Sequence, residues 1–194
     1  KKCFSSLFTS RAMYYRIKKG FGHDKSYLAV VVQKMIDSEK SGVIFSKNPV
    51  KEDNNLVIEA VWGLGEGIVS GRIKPDHYLV SRDLDNLNII ESQVADKKIA
   101  IVRDSGGMTG QVSLSAERST QQVLSSYEIK RLGQYAIQLE KHYEKPQDIE
   151  FAIENKEIYI VQSRPITALL SGDDGEDLEG ETLLSGLGSS PGIG

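Results

Sequence analysis

Two short stretches near the end of the chain place acidic, amide and basic side chains at alternating positions. Asp148 and Glu150 alternate with apolar residues in the first stretch, and Gln162 and Arg164 alternate in the second. Carboxylate and amide oxygens are the ligands that Mg²⁺ prefers, and the planar guanidinium of arginine matches phosphate oxygens. These residue types indicate a site for a magnesium polyphosphate, with phosphoryl transfer as its chemistry.

The sequence between the two stretches is typical of a β-hairpin, because apolar and β-branched residues flank a polar tip. Side chains alternate faces along a strand, so the polar groups of both strands meet only if opposed residue numbers sum to an even value. A three-residue loop at 155–157 satisfies this condition, whereas a two-residue turn would separate the four groups. The predicted opposed pairs are Asp148 with Arg164 and Glu150 with Gln162.

The other face of the same hairpin is predicted to pack into the core, with Phe151 opposite Val161 and Ile153 opposite Tyr159. A simpler interpretation of the polar face also fits the spacing. It treats the first acid and the arginine as a solvated ion pair, which contributes little to stability and occurs often on protein surfaces. Spacing alone leaves both interpretations open.

Four runs of sequence, in order along the chain, resemble one family of enzymes. They are SLFTSRAMYYR at 6–16, VVVQKMIDSEKSGVIFSKNP at 30–49, VIEAVWGLGEGIVSGRIKPDHYLV at 57–80 and HYEKPQDIEFAIENKEIYIVQSRP at 142–165. Together they resemble the C-terminal part of the ATP-grasp nucleotide-binding domain of phosphoenolpyruvate synthases (pyruvate, water dikinases). Pyruvate phosphate dikinases and antibiotic phosphotransferases of the rifamycin type share this ATP module and remain alternatives.

The resemblance implies an α+β fold, a partial ATP-grasp domain over residues 1–169 whose mainly antiparallel sheet is flanked by helices. A flexible acidic linker at 170–182 and the start of a truncated swivelling phosphohistidine domain at 183–194 are expected to follow. Residues 171–194 carry six acids and no bases, so the preceding residues have a net charge of about +3 by difference from the total of −3. A mildly basic body suits an anionic ligand, and it is not basic enough to indicate nucleic acid.

For the whole enzyme, the resemblance implies that Mg-ATP phosphorylates a histidine of the swivelling domain and that the phosphoryl group then passes to pyruvate. AMP and phosphate are released. Residue by residue, Arg164 matches the family's phosphate-binding arginine, and Asp148 and Glu150 match its acidic pair. Gln162 matches its metal-proximal amide. The expected roles are therefore catalysis and nucleotide binding for Arg164 and Asp148, and Mg²⁺ binding for Glu150 and Gln162.

The resemblance to ATP-grasp proteins also implies that adenine binds backbone groups of the hinge segment, formed by Gln33, Lys34, Met35 and Ile36. The apolar run Tyr27–Ile36 predicts a buried strand leading to this hinge, with Ser41–Lys47 as its hairpin partner. Core packing of Met35 and Ile36 is the simpler alternative.

A second strand is predicted at Leu56–Trp62, and Glu59, placed at the end of that strand, is a further candidate for nucleotide binding. The strand leads into a glycine-rich loop at 63–71 that lacks both the dinucleotide-binding and the P-loop spacing. Such a loop either lines the nucleotide cleft or simply needs glycine for tight turns. Further strands are predicted at 76–82 and 88–103, with a turn near Asn86, and a helix at 125–143 is expected to pack beside the hairpin.

Composition is ordinary for a globular domain, with 39% hydrophobic and 26% charged residues in 194. The single cysteine excludes an internal disulfide, and no apolar run approaches the ~20 residues that span a bilayer. The cytoplasm is the expected compartment, with neither membrane nor nucleic acid as a partner. An amphipathic first helix looks cut from a longer chain. The resemblance assigns further basic phosphate-binding residues to a lobe before residue 1, so this piece alone is expected to be inactive.

Overall fold

The computed structural model describes residues 1–166 apart from positions 23, 25, 52 and 83–86. The chain forms two units, of which the first runs from Lys1 to Met35 and the second begins at Ile36. The predicted turn at Asn86, the acidic linker at 170–182 and the segment at 183–194 lie outside the described residues.

The first unit begins with helical turns. Thr9 divides them, because its hydroxyl accepts the N–H of Ala12 at 3.3 Å and so caps the longer helix that follows. The amphipathic pattern near the start of the chain therefore forms helices, as the sequence predicts, but with a break at Thr9. Their bounds are α1 Lys2–Ser5, a 3-10 turn Ser6–Phe8 and α2 Ser10–Lys18.

The predicted buried strand over Tyr27–Ile36 is wrong. The structure forms no strand over this segment, and the side chains of Tyr27 and Val32 are 90% and 96% exposed. A strand needs a neighbour with free ladder hydrogen bonds. The expected partner, which begins at Lys40, is already paired along both of its edges, so it cannot form a hairpin with the apolar run.

The second unit contains a six-stranded sheet in which all neighbouring strands are antiparallel. The strands are β1 Lys40–Phe45, β2 Leu56–Trp62, β3 Asp76–Val80, β4 Ile89–Gln93, β7 Gln147–Glu154 and β8 Glu157–Pro165. Their spatial order is β4-β3-β2-β1-β7-β8. This confirms the expected α+β class with a mainly antiparallel sheet.

One face of this sheet packs against the long helix α5, Ser126–Tyr143, which the sequence predicts correctly. The helix begins where Ser125 and Glu128 form a reciprocal capping box, and it ends at Glu144 with a left-handed φ of 55°. No helix among the described residues is long and apolar enough to cross a membrane. The fully buried contacts between sheet and helix include Ile44, Ile58, Tyr78, Ile149, Ile129, Leu132 and Ala136.

The segment predicted as one strand at 88–103 forms two strands in different sheets. β4 ends at Gln93, and β5, Ile99–Arg103, pairs instead with β6, Thr109–Ser113. The break has a physical cause, because the intervening Ala95 and Lys97 are buried and bind a carboxylate of β3. Two short helices complete the second unit, α3 at Glu66–Val69 and α4 at Ala116–Ser119.

The glycine-rich segment after β2 contains the short helix α3 rather than an open loop. Gly63 has a φ of 80°, and a Cβ at this position would lie 2.1 Å from the carbonyl oxygen of Ile101, with which Gly63 forms a bridge. Only glycine accepts both the positive φ and the close approach. The tight-turn interpretation therefore accounts for this glycine.

A fully buried ion pair joins β3 to the chain around residue 97. The carboxylate of Asp76 accepts from the Nζ of Lys97, from the N–H of Ala95 at 2.9 Å and from the N–H of Val123 at 2.8 Å, while Tyr78 donates its hydroxyl at 3.1 Å. Because each oxygen is satisfied, the buried charges are tolerated. This network fixes two irregular segments against the sheet.

Replacing Asp76 with asparagine is expected to destabilise the fold by about 3–5 kcal/mol, because Lys97 would keep a buried charge without a counter-charge. Urea unfolding followed by the fluorescence of Trp62, the only tryptophan in the chain, measures this difference. The matched control is Asp96→Asn, since Asp96 pairs with Lys98 where the side chains are 52% and 80% exposed. The control should change stability by less than about 0.5 kcal/mol; equal effects of the two substitutions would contradict the assignment.

Candidate functional site

The hairpin that carries the four polar candidates has a two-residue turn, not the expected three-residue loop. Asn155 and Lys156 both have positive φ, 51° and 66°, and Glu154 pairs with Glu157 directly across the turn. Two successive positive φ angles are typical of the type I′ turn, whose twist suits a hairpin. Asparagine tolerates this conformation better than most residues, which explains its place at the tip.

A β-bulge restores the pairing that a two-residue turn would otherwise have lost. The register shifts between Glu150 and Phe151, so that β8 has one extra residue, Val161, in this interval. Beyond the bulge, the predicted opposed pairs form, with Asp148 across from Arg164 and Glu150 across from Gln162. Before the bulge, the predicted pairs are wrong. Phe151 lies opposite Ile160 rather than Val161, and Ile153 lies opposite Ile158 rather than Tyr159.

The four candidates lie on the sheet face opposite α5, here called the site face. Register across the sheet aligns their side chains with those of other strands in two neighbouring rows. The first row, from β4 to β8, is Gln93, His77, Glu59, Val43, Glu150 and Gln162. The second row is Glu91, Leu79, Val57, Phe45, Asp148 and Arg164.

The acid and the arginine of the second row form a close ion pair. Arg164 donates from Nε and Nη2 to the Oδ2 of Asp148, at 2.9 and 2.7 Å. Asp148 is only 8% exposed, so the pair differs from the solvated surface pair considered above. The second carboxylate oxygen, Oδ1, is buried and has no hydrogen-bond partner among the described residues. A buried carboxylate oxygen without a partner is costly, and a cation or a donor from a ligand would satisfy it.

The amide of Gln162 faces its acidic neighbour in the first row. Its Nε2 donates to the Oε1 of Glu150 at 3.1 Å. Burial raises the pKa of Glu150 above its ordinary value of 4.5, the negative charge of Asp148 raises it further, and the positive charge of Arg164 opposes both effects. The site therefore carries more negative charge than its own arginine compensates.

Glu59 lies in the middle of β2 rather than at its end, and it pairs with Val43 on one side and His77 on the other. Glu59 and Glu150 lie two strands apart in the same row, about 10 Å between their Cα atoms. Burial raises the pKa of Glu59 above 4.5, and the neighbouring His77 opposes this shift. The Nδ1 of His77 is buried without a hydrogen-bond partner among the described residues.

A cleft on the site face is lined by residues of β1 to β4, among them Phe45, Val57, Leu79, Glu59 and His77. The four hairpin candidates are not among its lining residues, but Phe45 lies across from Asp148 in the sheet. Sequence reasoning did not identify His77 as part of the site. The sequence shows that His77 lies near the start of a predicted strand. Only the register between β2 and β3 shows that it lies beside Glu59.

The four predicted adenine-binding residues divide between the two units. Gln33, Lys34 and Met35 belong to the first unit, and Ile36 begins the second. Met35 is 51% exposed, so core packing does not account for it, whereas Ile36 is 8% exposed and buried. Their role in binding adenine stays a prediction.

The side chains fit a magnesium ion that is held in part by a phosphate ligand. Among the described residues, no group of three His, Cys, Asp or Glu side chains is placed to enclose a metal ion. Mg²⁺ commonly takes one or two carboxylates and completes its shell with water and phosphate oxygens. The carboxylate of Glu150 and the amide oxygen of Gln162 are oxygen donors of this kind.

Comparison with known proteins identifies related sequences over almost the whole chain. Residues 1–181 match the family described as the pyruvate phosphate dikinase AMP/ATP-binding domain. The chain is 47% identical to a probable phosphoenolpyruvate synthase of Methanocaldococcus jannaschii and 44% identical to the phosphoenolpyruvate synthase of Pyrococcus furiosus, in both cases over its full length. It is 38% identical over 95% of its length to the rifampicin phosphotransferase of Bacillus cereus. The chain spans 17% and 25% of the two synthases and 21% of the phosphotransferase.

Replacing Glu150 with glutamine is expected to stabilise the fold at neutral pH. Because the pKa of Glu150 is raised in the folded state, the folded chain holds this proton more tightly than the unfolded chain. The free energy of unfolding therefore falls as pH rises from 4.5 through the raised folded-state pKa, and glutamine removes that loss. Urea unfolding at about pH 4 and about pH 8 should show the larger gain at the higher pH.

Glu144→Gln is the control, since this exposed glutamate follows α5 and lies outside the site. It should change the free energy of unfolding by less than about 0.5 kcal/mol. A ligand that binds the folded state raises the free energy of unfolding. Magnesium ions at the higher pH should therefore stabilise the parent chain more than Glu150→Gln, which lacks the carboxylate expected to bind the ion. A pH-independent effect of Glu150→Gln would contradict the raised pKa.

Proposed function

The chain belongs to the pyruvate phosphate dikinase AMP/ATP-binding domain family, and on that premise we propose that its site face binds Mg-ATP. The observation that carries the proposal is the convergence of four polar groups from β7 and β8 on one face of the sheet. A solvated surface ion pair would not explain the buried, unpartnered Oδ1 of Asp148 or the presence of Glu150 on the same face. Both features suit a ligand that brings a cation and phosphate oxygens together.

The proposed roles follow from what each side chain can offer. Arg164 contacts the phosphoryl group to be transferred, because its charge is permanent and its planar donors match phosphate oxygens. Asp148 holds the guanidinium in place through two hydrogen bonds to one oxygen. Glu150 and Gln162 hold Mg²⁺, which neutralises phosphate charge when bound. Phosphoryl transfer depends mainly on positioning and charge stabilisation, so no nucleophile is required among these residues.

Adenine is proposed to bind backbone groups of the segment Gln33, Lys34, Met35 and Ile36, with Glu59 as a further nucleotide contact. The adenine role of the hinge segment is supported by the family resemblance alone. The role of Glu59 is supported also by its place in the same row of the site face as Glu150.

In a full-length protein, the proposed activity is that of a phosphoenolpyruvate synthase. ATP would transfer its two terminal phosphates as one pyrophosphoryl group to a histidine nitrogen of a swivelling domain and leave AMP. Water would release the terminal phosphate, and the histidine would pass the remaining phosphoryl group to the enol oxygen of pyruvate. ATP, pyruvate and water would then yield phosphoenolpyruvate, AMP and phosphate. Six synthases between 40% and 49% identical over the whole chain support this choice of activity.

Antibiotic phosphorylation is the second candidate, because two rifampicin phosphotransferases are 38% and 37% identical over 95% of the chain. They share the ATP module, so the site face cannot separate the two activities. The residues that bind the acceptor would distinguish the two activities, since a pyruvate site and an antibiotic site differ in size and polarity. A pyruvate phosphate dikinase and a noncatalytic nucleotide-binding module are further alternatives.

The 194-residue chain is expected to bind Mg-ATP with a dissociation constant weaker than about 0.1 mM and to show no turnover. The four-residue cluster offers one cation, and the family resemblance assigns further phosphate-binding bases to another lobe. Isothermal titration calorimetry measures the affinity, and release of AMP measures turnover. A micromolar dissociation constant would contradict the expectation of weak binding.

Replacing Arg164 with alanine is expected to raise the Mg-ATP dissociation constant at least about tenfold, because one charged phosphate contact is lost. Amide NMR titration measures weak affinities of this kind and shows whether the shifted signals belong to the site face. Arg131→Ala is the matched control, since Arg131 lies on α5 and contacts Gln134 and Tyr135 on the same helix. Similar Mg-ATP affinities for Arg164→Ala and Arg131→Ala would refute the role proposed for Arg164.

A further inference from the structure

Directly behind the Asp148–Arg164 pair, on the α5 side of the sheet, polar residues form one group connected by side-chain and backbone hydrogen bonds. They come from the position after β1, the chain after β3, helix α5, the start of β7 and the end of β8. This group, here called the rear cluster, consists of Ser46, Arg82, Glu140, Gln147 and Ser163.

Helix α5 contributes the charged centre of the rear cluster. The carboxylate of Glu140 accepts hydrogen bonds from the Oγ of Ser46 and from both terminal nitrogens of Arg82, including Nη1 at 3.1 Å. The same Nη1 donates to the backbone carbonyl of Ser46 at 2.9 Å. Side-chain exposures of 28% for Arg82 and 16% for Glu140 place the ion pair partly out of solvent. The hydroxyl and the carbonyl of Ser46 are therefore both held by charged partners.

Ser46 in turn fixes the start of β7. Its N–H donates to the carbonyl oxygen of Gln147 at 2.9 Å, and its Oγ accepts the N–H of Gln147 at 2.8 Å. Ser46 is fully buried and Gln147 is 1% exposed, so these hydrogen bonds do not compete with water. The backbone of the residue before Asp148 is thus bound at both of its polar groups.

The side chain of Gln147 extends the cluster to β8. Its Nε2 donates to the carbonyl oxygen of Lys145 at 2.9 Å, and its Oε1 accepts the hydroxyl of Ser163 at 2.9 Å. Gln147 immediately precedes Asp148, and Ser163 immediately precedes Arg164. Because successive side chains point to opposite faces of a strand, the rear cluster links the two strands at the level of the ion pair.

We propose that the rear cluster consists of positioning residues for the site, which fix Asp148 and Arg164 relative to each other before nucleotide binds. The proposal rests on the proposed function for its link to Mg-ATP, but the positioning itself concerns only the ion pair. Functional groups need support from residues whose own conformations are fixed by packing and hydrogen bonds. A contact that only anchored α5 would not need to reach β8 through Gln147 and Ser163.

The 194-residue chain also supplies a matched comparison for this proposal. Glu128 near the start of α5 binds the Nζ of Lys40, the first residue of β1, at 2.8 Å. Glu140 lies 12 positions further along α5, about 18 Å along the helix axis, and binds the residue just after β1. Both contacts join α5 to β1, but only the Glu140 contact lies behind Asp148 and Arg164.

The test uses the side-chain Nε–H signal of Arg164 in nitrogen-15 NMR spectra, because this N–H donates to Asp148. In Glu140→Gln and Ser163→Ala, the signal should move toward its position in Asp148→Asn, and its exchange with water should accelerate by about tenfold. The conservative variant Ser163→Thr keeps the hydroxyl and should retain the parent signal. Lys40→Gln, the control at the other end of β1, should also retain it.

Mg-ATP titration of the same variants separates this inference from the proposed function. Glu140→Gln and Ser163→Ala should raise the dissociation constant at least about fivefold, while Lys40→Gln leaves it unchanged. If the Arg164 signals change in Glu140→Gln and Ser163→Ala but the parent chain shows no response to Mg-ATP, the positioning role is retained and the proposed function is overturned. Unchanged Arg164 signals in Ser163→Ala, a mild truncation on an edge strand, would overturn the positioning role whatever the nucleotide result.

Discussion

The extra residue of β8 at Val161 determines whether the polar residues of β8 lie on the same face of the sheet as the acids of β7. A two-residue turn at Asn155 and Lys156 sets a register in which the acids of β7 and the polar residues of β8 would lie on opposite faces. The bulge shifts the register by one residue, so that Asp148 meets Arg164 and their side chains share a face. The contacts of Gln162 with Glu150 and of Arg164 with Asp148 both depend on that shift.

The two faces of the sheet differ in whether their polar groups have hydrogen-bond partners. The face against α5 is apolar through its centre, and its polar groups are paired, as in the rear cluster. The site face keeps a partly unsatisfied acid, Asp148, beside Glu150, whose pKa is raised by burial. Such groups reduce stability in the absence of a ligand, and burial of the apolar core against α5 can offset that cost.

Local sequence signals predicted the elements whose contacts are close in sequence. Helical spacing of apolar residues at 125–143 predicts α5, and a polar tip between apolar and β-branched runs predicts the hairpin. The same signals failed where distant partners decide the structure. The apolar run at 27–36 forms no strand because both edges of β1 are occupied, and the strand predicted at 88–103 breaks where Lys97 turns inward to Asp76.

The sequence by itself determined the family, the antiparallel class and the four polar residues of β7 and β8, because these depend on motif identity and on a period of two along each strand. Only the tertiary structure decided that His77 and Glu59 share a row with Glu150, and that Ser46 binds a residue 101 positions away. The physical reason is that hydrogen-bonded register between strands, rather than any local preference, sets which distant side chains meet.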